Sequence, residues 1–247
     1  MGRRAREISE TGLYHIVFRG INKQHIFEES VDYNKMKSIL KEIKEEMKFE
    51  IYVYCFMTNH VHILLKESKR GDISLIMKRL LTKYARYYNR KYKRSGALIA
   101  NRYKSQPVDV DEYFLAVVRY IHQNPVKAKM VNKIEEYSWS SYCEYLFDKS
   151  GLADKEFVME MLTKEEFEEF HQLEEENIFT VDDKIKVSDE GIRRDIIKRY
   201  GYEPSAIGSL KQSERNVIIS GLRQKYSIRQ IERVTGISRG IVANVDK

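Results

Sequence analysis

The chain has 247 residues, 42% hydrophobic and 33% charged, with a net charge of +7. That is apolar enough for a packed core, yet no apolar run approaches the roughly 20 residues that cross a bilayer, which argues against a membrane role. Cys55 and Cys143 are its only cysteines. They make neither a disulfide framework nor a zinc knuckle and suit a reducing cytoplasm, as does an N-terminus without an apolar signal core.

The charge is unevenly laid out. Residues 1–150 carry a net +10, residues 151–190 a net −10 and residues 191–247 a net +7. A basic, acidic, basic order points to two surfaces for a polyanion such as nucleic acid, joined by a segment that avoids it.

Residues 12–19, rich in β-branched and aromatic side chains, predict a strand that stops at Gly20. His15 within it reads as a strand residue with a local partner, a metal role being the lesser alternative. Ser30 to Lys48 predicts a helix capped by Ser30, with Met36, Leu40 and Ile43 at helical spacing. Ile51–Met57 and His60–Lys66 predict a tight antiparallel hairpin. Its second strand places His60 and His62 on one face and Val61 and Ile63 on the other, so two imidazoles can hold one metal ion from one side.

Asp72 is expected to cap a helix reaching about Tyr92, buried along Ile73, Ile76, Met77, Leu80, Leu81, Tyr84 and Tyr88. Its Arg79, Lys83, Arg86 and Arg90 fall on one outward side and read as a rail for phosphates. Most of its tyrosines read as packing, with one or two available to stack on bases. Arg102–Val108 predicts a fourth strand, at an edge because of Pro107; its Arg102 and Lys104 join the DNA-binding candidates. The order strand, helix, strand, strand, helix, strand is the split βαβ, ferredoxin-like α+β arrangement: an antiparallel sheet with helices on one face.

A further helix begins at Asp109 or Asp111. Phe114, Val117, Val118 and Ile121 form its core stripe, and Tyr113, Tyr120 and Asn124 lie beside it within about 40° of one another. Pro125 should end it at Asn124. His122 and Gln123 read as exposed polar residues, with Gln123 a substitute for Asn124 should the last turn be distorted.

His60-Val61-His62, Asn101 to Ser105, Arg119-Tyr120-Ile121-His122-Gln123-Asn124-Pro125-Val126 and Trp139-Ser140-Ser141-Tyr142, in this order, resemble the REP-associated tyrosine transposases of the single-tyrosine HUH superfamily, over roughly residues 8–147. The resemblance implies that Tyr120 is the nucleophile. It implies that His60, His62 and Asn124 hold Mg²⁺ or Mn²⁺, with Asn where insertion-sequence relatives usually carry Gln. It implies a single-stranded, hairpin-forming DNA substrate and a 5′-phosphotyrosine intermediate, in a monomer or homodimer. A regulator that kept the fold but lost turnover is the alternative. Trp139 reads as core.

Leu152 to Asp189 is rich in Glu, with Phe167, Phe170 and Leu173 spaced for an amphipathic helix. Ser188–Tyr200, Ser213–Gln224, Ser227–Thr235 and Ser238–Asn244 predict an all-α unit. Its last two helices, turning at Gly236, read as a helix-turn-helix for duplex DNA with Arg239 near the groove. The expected organisation is a catalytic domain over 1–148, an acidic helical linker over 149–190 and a helix-turn-helix domain over 191–247.

Overall fold

The computed structural model describes residues 8–108, 111–173, 189–226 and 228–245. The expected starts at Asp109, Ser188 and Ser227, and the linker from 174 to 188, lie outside those residues. The chain divides into two compact units, residues 1–175 and 176–247.

The first unit runs β1 (Leu13–Arg19), α1 (Ser30–Met47), β2 (Glu50–Met57), β3 (His60–Lys66), α2 (Ile73–Lys91), β4 (Lys104–Pro107) and α3 (Asp111–Lys127). Its four strands lie in the order β2-β3-β1-β4, with every neighbouring pair antiparallel. Because strand side chains alternate, the sheet separates two chemistries. Tyr14, Ile16 and Phe18 of β1 and Val61, Ile63 and Leu65 of β3 pack with α1 and α2 in one apolar core. His15, Val17 and Arg19, with His60 and His62, face the other side. There α3 covers them, its Phe114 ring 5.6 Å from Tyr52 of β2. Helices therefore lie on both faces of the sheet, not one, since the third helix closes the face that the first two leave.

Asp32 locks α1 to α2. Its buried carboxylate accepts from Lys91 Nζ at 2.7 Å, Tyr92 Oη at 2.7 Å and Tyr87 Oη at 2.9 Å. Burial raises its pKa, but these donors win and hold it at about 2. The Asp32 side chain also accepts the N–H groups of Glu28 and Glu29, so the helix is capped by a Glu29–Asp32 box in place of the expected Ser30 cap. Tyr84 is fully buried and donates to the Ile26 carbonyl. Tyr87 and Tyr92 are held by Asp32 through their hydroxyls, so most of these tyrosines pack within the helix layer, as expected. Trp139 packs on this core as expected, its ring 4.4 Å from Tyr33.

Pro125 does not end α3, which continues to Lys127. Proline lacks an N–H, but the chain beyond it keeps its bonds. Ala128 N–H donates to the Asn124 carbonyl and Met130 N–H to that of Pro125, both at 2.9 Å. Pro125 itself is buried, so packing offsets the local pre-proline preference.

After α4 (Tyr142–Leu146), residues beyond 148 continue the first unit through α5 (Glu156–Met161) and α6 (Lys164–Gln172). Lys44 pairs with Asp154 at 2.7 Å, and Asp154 exchanges two hydrogen bonds with the backbone of Ile51. Phe167 is 1% exposed. The acidic stretch up to Leu173 is thus built into the first unit by its apolar side, although its composition reads as a spacer.

The second unit holds α7 (Asp189–Tyr200), α8 (Gln212–Lys225), α9 (Ile228–Thr235) and α10 (Arg239–Asn244) around Ile192, Ile196, Ile219, Leu222, Ile231 and Val242. Gly236, at φ +75°, turns the chain between α9 and α10, and its N–H returns to the Glu232 carbonyl at 2.8 Å.

Candidate active site

The centre of the second sheet face is a cluster of imidazoles. His60 Nδ1 lies 2.6 Å from Asn59 Oδ1, and Asn59 Nδ2 donates to the Lys23 carbonyl at 3.3 Å. That second bond orients the amide, so His60 Nδ1 carries the proton and donates. His62 Nδ1 lies 3.0 Å from His15 Nε2. The remaining nitrogens, His60 Nε2 and His62 Nε2, are buried and have no hydrogen-bond partner. The two rings stand 5.0 Å apart.

Burial sets the protonation state. It lowers the pKa of His60 to about 4, aided by Arg19. It lowers that of His62 well below the usual value, aided by His15, His60 and Arg19. It takes His15 to about 3. All three are neutral at neutral pH, the form in which imidazole offers a lone pair.

Tyr120 of α3 meets this cluster edge-on. Its ring centroid is 5.5 Å from that of His62 and 6.0 Å from that of His15, and the residue is 5% exposed. The Asn124 side-chain nitrogen donates to the Tyr120 carbonyl at 2.9 Å, so the amide is held back along its own helix, one turn from Tyr120. Sequence spacing brought His60, His62 and Tyr120 to one place. The local partner expected for His15 is His62. Sequence spacing missed two further neighbours. Arg19 is the direct cross-strand partner of His60. Lys127, seven residues after Tyr120, holds Nζ 5.4 Å from the Tyr120 ring centroid. The signals were the shared parity of His15 and Arg19 on β1 and the i, i+7 spacing on α3.

The other candidates fall elsewhere. Lys104 pairs with Val17, itself the partner of His62, so it lies on the histidine face two strands away. Arg102 is exposed just before it. Arg79 pairs with Glu46 and Lys83 with Glu42 at 2.6 Å, both on α1. With Arg86 and Arg90 they belong to the helix layer across the sheet from the histidines. Arg239 pairs with Glu232 at 2.5 Å inside the second unit.

His122 is not exposed; it is fully buried. Its Nδ1 lies 2.9 Å from His171 Nε2 and its Nε2 2.8 Å from Ser141 Oγ, while His171 Nδ1 donates to the Phe167 carbonyl at 2.7 Å. Gln123 Nε2 donates to the carbonyls of His171 and Leu173, so this side chain is turned towards α6 and does not replace Asn124. The helical wheel gave both residues to solvent because it could not register α6, which covers that side.

Residues 9–124 match the family described as IS200-like transposases. That match covers just under half of the chain. The chain is also 27% identical over 151 residues to a protein of Haemophilus influenzae named as a REP-associated tyrosine transposase, spanning 56% of this chain and 83% of the relative. Among solved structures, a REP-associated tyrosine transposase bound to a REP hairpin overlays with a TM-score of 0.49 at 17% identity, over 57% of this chain and 83% of the other. A protein of Deinococcus radiodurans named as a transposase overlays with a TM-score of 0.34 at 19% identity, over 56% and 96%. At such scores the assignment of the transposase domain rests on the two sequence matches.

Among the described residues no group of three or more His, Cys, Asp or Glu is arranged to hold a metal. Among them, too, no helix is long and apolar enough to cross a membrane.

Proposed function

We propose that the chain is a metal-dependent single-stranded DNA endonuclease and strand transferase that works through a covalent 5′-phosphotyrosine on Tyr120. The observation that carries this reading is the pair of buried, unpartnered Nε2 atoms on His60 and His62 beneath the edge of the Tyr120 ring. Two buried nitrogens left without a partner cost stability unless a ligand meets them. The strand order and chain order fit a ferredoxin-like domain.

Mg²⁺ or Mn²⁺ would be held by the two Nε2 atoms, with the Asn124 oxygen as the third candidate ligand, and two neutral imidazoles would favour Mn²⁺ more than all-oxygen sites do. Such an ion would neutralise charge on a phosphate and help align it for in-line attack. Asn59 and His15 orient the two imidazoles through their Nδ1 atoms, as partners of metal-bound histidines do. Arg19 and Lys127 place positive charge around the phosphate position. Tyr120 Oη forms the new bond to phosphorus and loses its proton to solvent. The bond from phosphorus to the DNA 3′ oxygen breaks, and that oxygen takes up a proton. The ester conserves the bond energy, so a second 3′-OH reverses the step and joins new ends.

The resemblance to REP-associated enzymes supports hairpin-forming DNA as substrate. In the second unit, α9, the Gly236 turn and α10 have the order of a helix-turn-helix, which supports a duplex DNA contact near Arg239. The test is incubation with a hairpin single-stranded oligonucleotide and Mn²⁺ or Mg²⁺. A covalent adduct is expected, abolished by chelator and by Tyr120→Phe. Binding without adduct under either metal would instead leave a DNA-binding regulator.

A further inference from the structure

A cavity of about 630 Å³ opens at the C-terminal end of α3, lined by residues that, Gln123 apart, lie beyond the family match. Gln123 and Lys127 line it from the helix, Lys133, Ile134 and Glu135 from the following turn, and Leu173 from the end of α6, so two ammonium groups outweigh one carboxylate. Its size falls in the range of small-molecule sites, roughly 300–1,000 Å³.

Two observations give it a chemistry. Gln123 Nε2 is held by the carbonyls of His171 at 2.9 Å and Leu173 at 3.0 Å, so the amide has one orientation. Its Oε1 is then a fixed acceptor, buried and without a partner. Lys127 belongs to the cavity and also to the candidate nucleophile, with Nζ 5.4 Å from the Tyr120 ring centroid. A fixed acceptor suits a base N–H, two ammonium groups suit a phosphate, and the Ile134 and Leu173 side chains suit the flat face of a base.

We propose that this cavity takes the nucleotide next to the scissile phosphate, with its base towards Gln123 and its phosphate on Lys127 and Lys133. The proposal rests on Tyr120 being the attacking residue, because Lys127 then links the reacting phosphate to the cavity.

Photo-cross-linking tests it on the full chain. The Tyr120→Phe protein is bound to a hairpin single strand in which 5-iodo-deoxyuridine, and in a second scan 6-thio-deoxyguanosine, is walked through each position. One position beside the cut is expected to cross-link to residues 123–135 or 171–173. Making that position abasic should weaken binding about tenfold, consistent with the loss of one stacked base; an abasic site at a position that does not cross-link there should change binding less than twofold. Lys127→Gln should weaken binding several-fold and flatten its salt dependence, whereas Lys127→Arg should restore both. Cross-links only outside these segments, from a strand that wild-type protein still converts to adduct, overturn the cavity while leaving the chemistry standing. Absence of any adduct from wild type overturns the chemistry and with it the claim that the bound nucleotide flanks a cut.

Discussion

Two buried histidine clusters in the first unit differ in one respect. His122 and His171 have every ring nitrogen engaged. The Phe167 carbonyl takes the His171 Nδ1 proton, His171 Nε2 takes that of His122 Nδ1, and His122 Nε2 takes that of the Ser141 hydroxyl. His60 and His62 engage only Nδ1 and leave both Nε2 atoms bare. A closed chain of hydrogen bonds stabilises the fold and offers nothing to a ligand. An open one costs stability until something fills it. Burial alone does not distinguish the two clusters; the tally of engaged ring nitrogens does.

Breaking the open cluster should have the largest effect. His60→Ala is expected to lower adduct formation by on the order of 10³-fold and to abolish the rise in melting temperature produced by Mn²⁺ in the absence of DNA. Breaking the closed one should do the reverse. His122→Ala should cost about 2–4 kcal/mol in urea unfolding, since it leaves a cavity and unpaired polar groups, yet keep the Mn²⁺ response.

Acid should strain both clusters. His171 is held at about 4 by burial, against a usual 6.5 in the unfolded chain. Between those values the unfolded chain binds the proton and the folded one does not. Stability is therefore full above about pH 6.5 and falls as pH drops towards 4. Urea midpoints across pH 4–7 check this, and His171→Phe should lessen the slope by close to one proton.

The smallest effects concern the two faces of the sheet. Lys104→Ala, on the histidine face, should weaken binding of single-stranded hairpin DNA several-fold and reduce the salt slope. Arg79→Ala, on α2, removes one exposed ion pair to Glu46 and should change stability by no more than about 1 kcal/mol and DNA affinity less than twofold, measured in the same titration.

Much of this site was legible beforehand. Period-two alternation put His60 and His62 together on β3, and element order anticipated the four-strand sheet. Nearness of α2 to β3 in sequence does not bring its basic residues near the histidines in space. A βαββαβ chain sends that helix to the face that Val61 and Ile63 occupy. His122 was misplaced because a single helix shows a polar side, not what covers it.

Local residue order by itself determined the strands, the helices, the imidazole pair and the tyrosine three elements later, since alternation and helical spacing act over a few residues. Only the tertiary structure decided which sheet face α3 covers, that Arg19, His15 and Lys127 surround the same point, and that an acidic stretch is packed wall instead of tether. Those outcomes depend on which apolar surfaces meet across dozens of residues, and no short-range pattern encodes that choice.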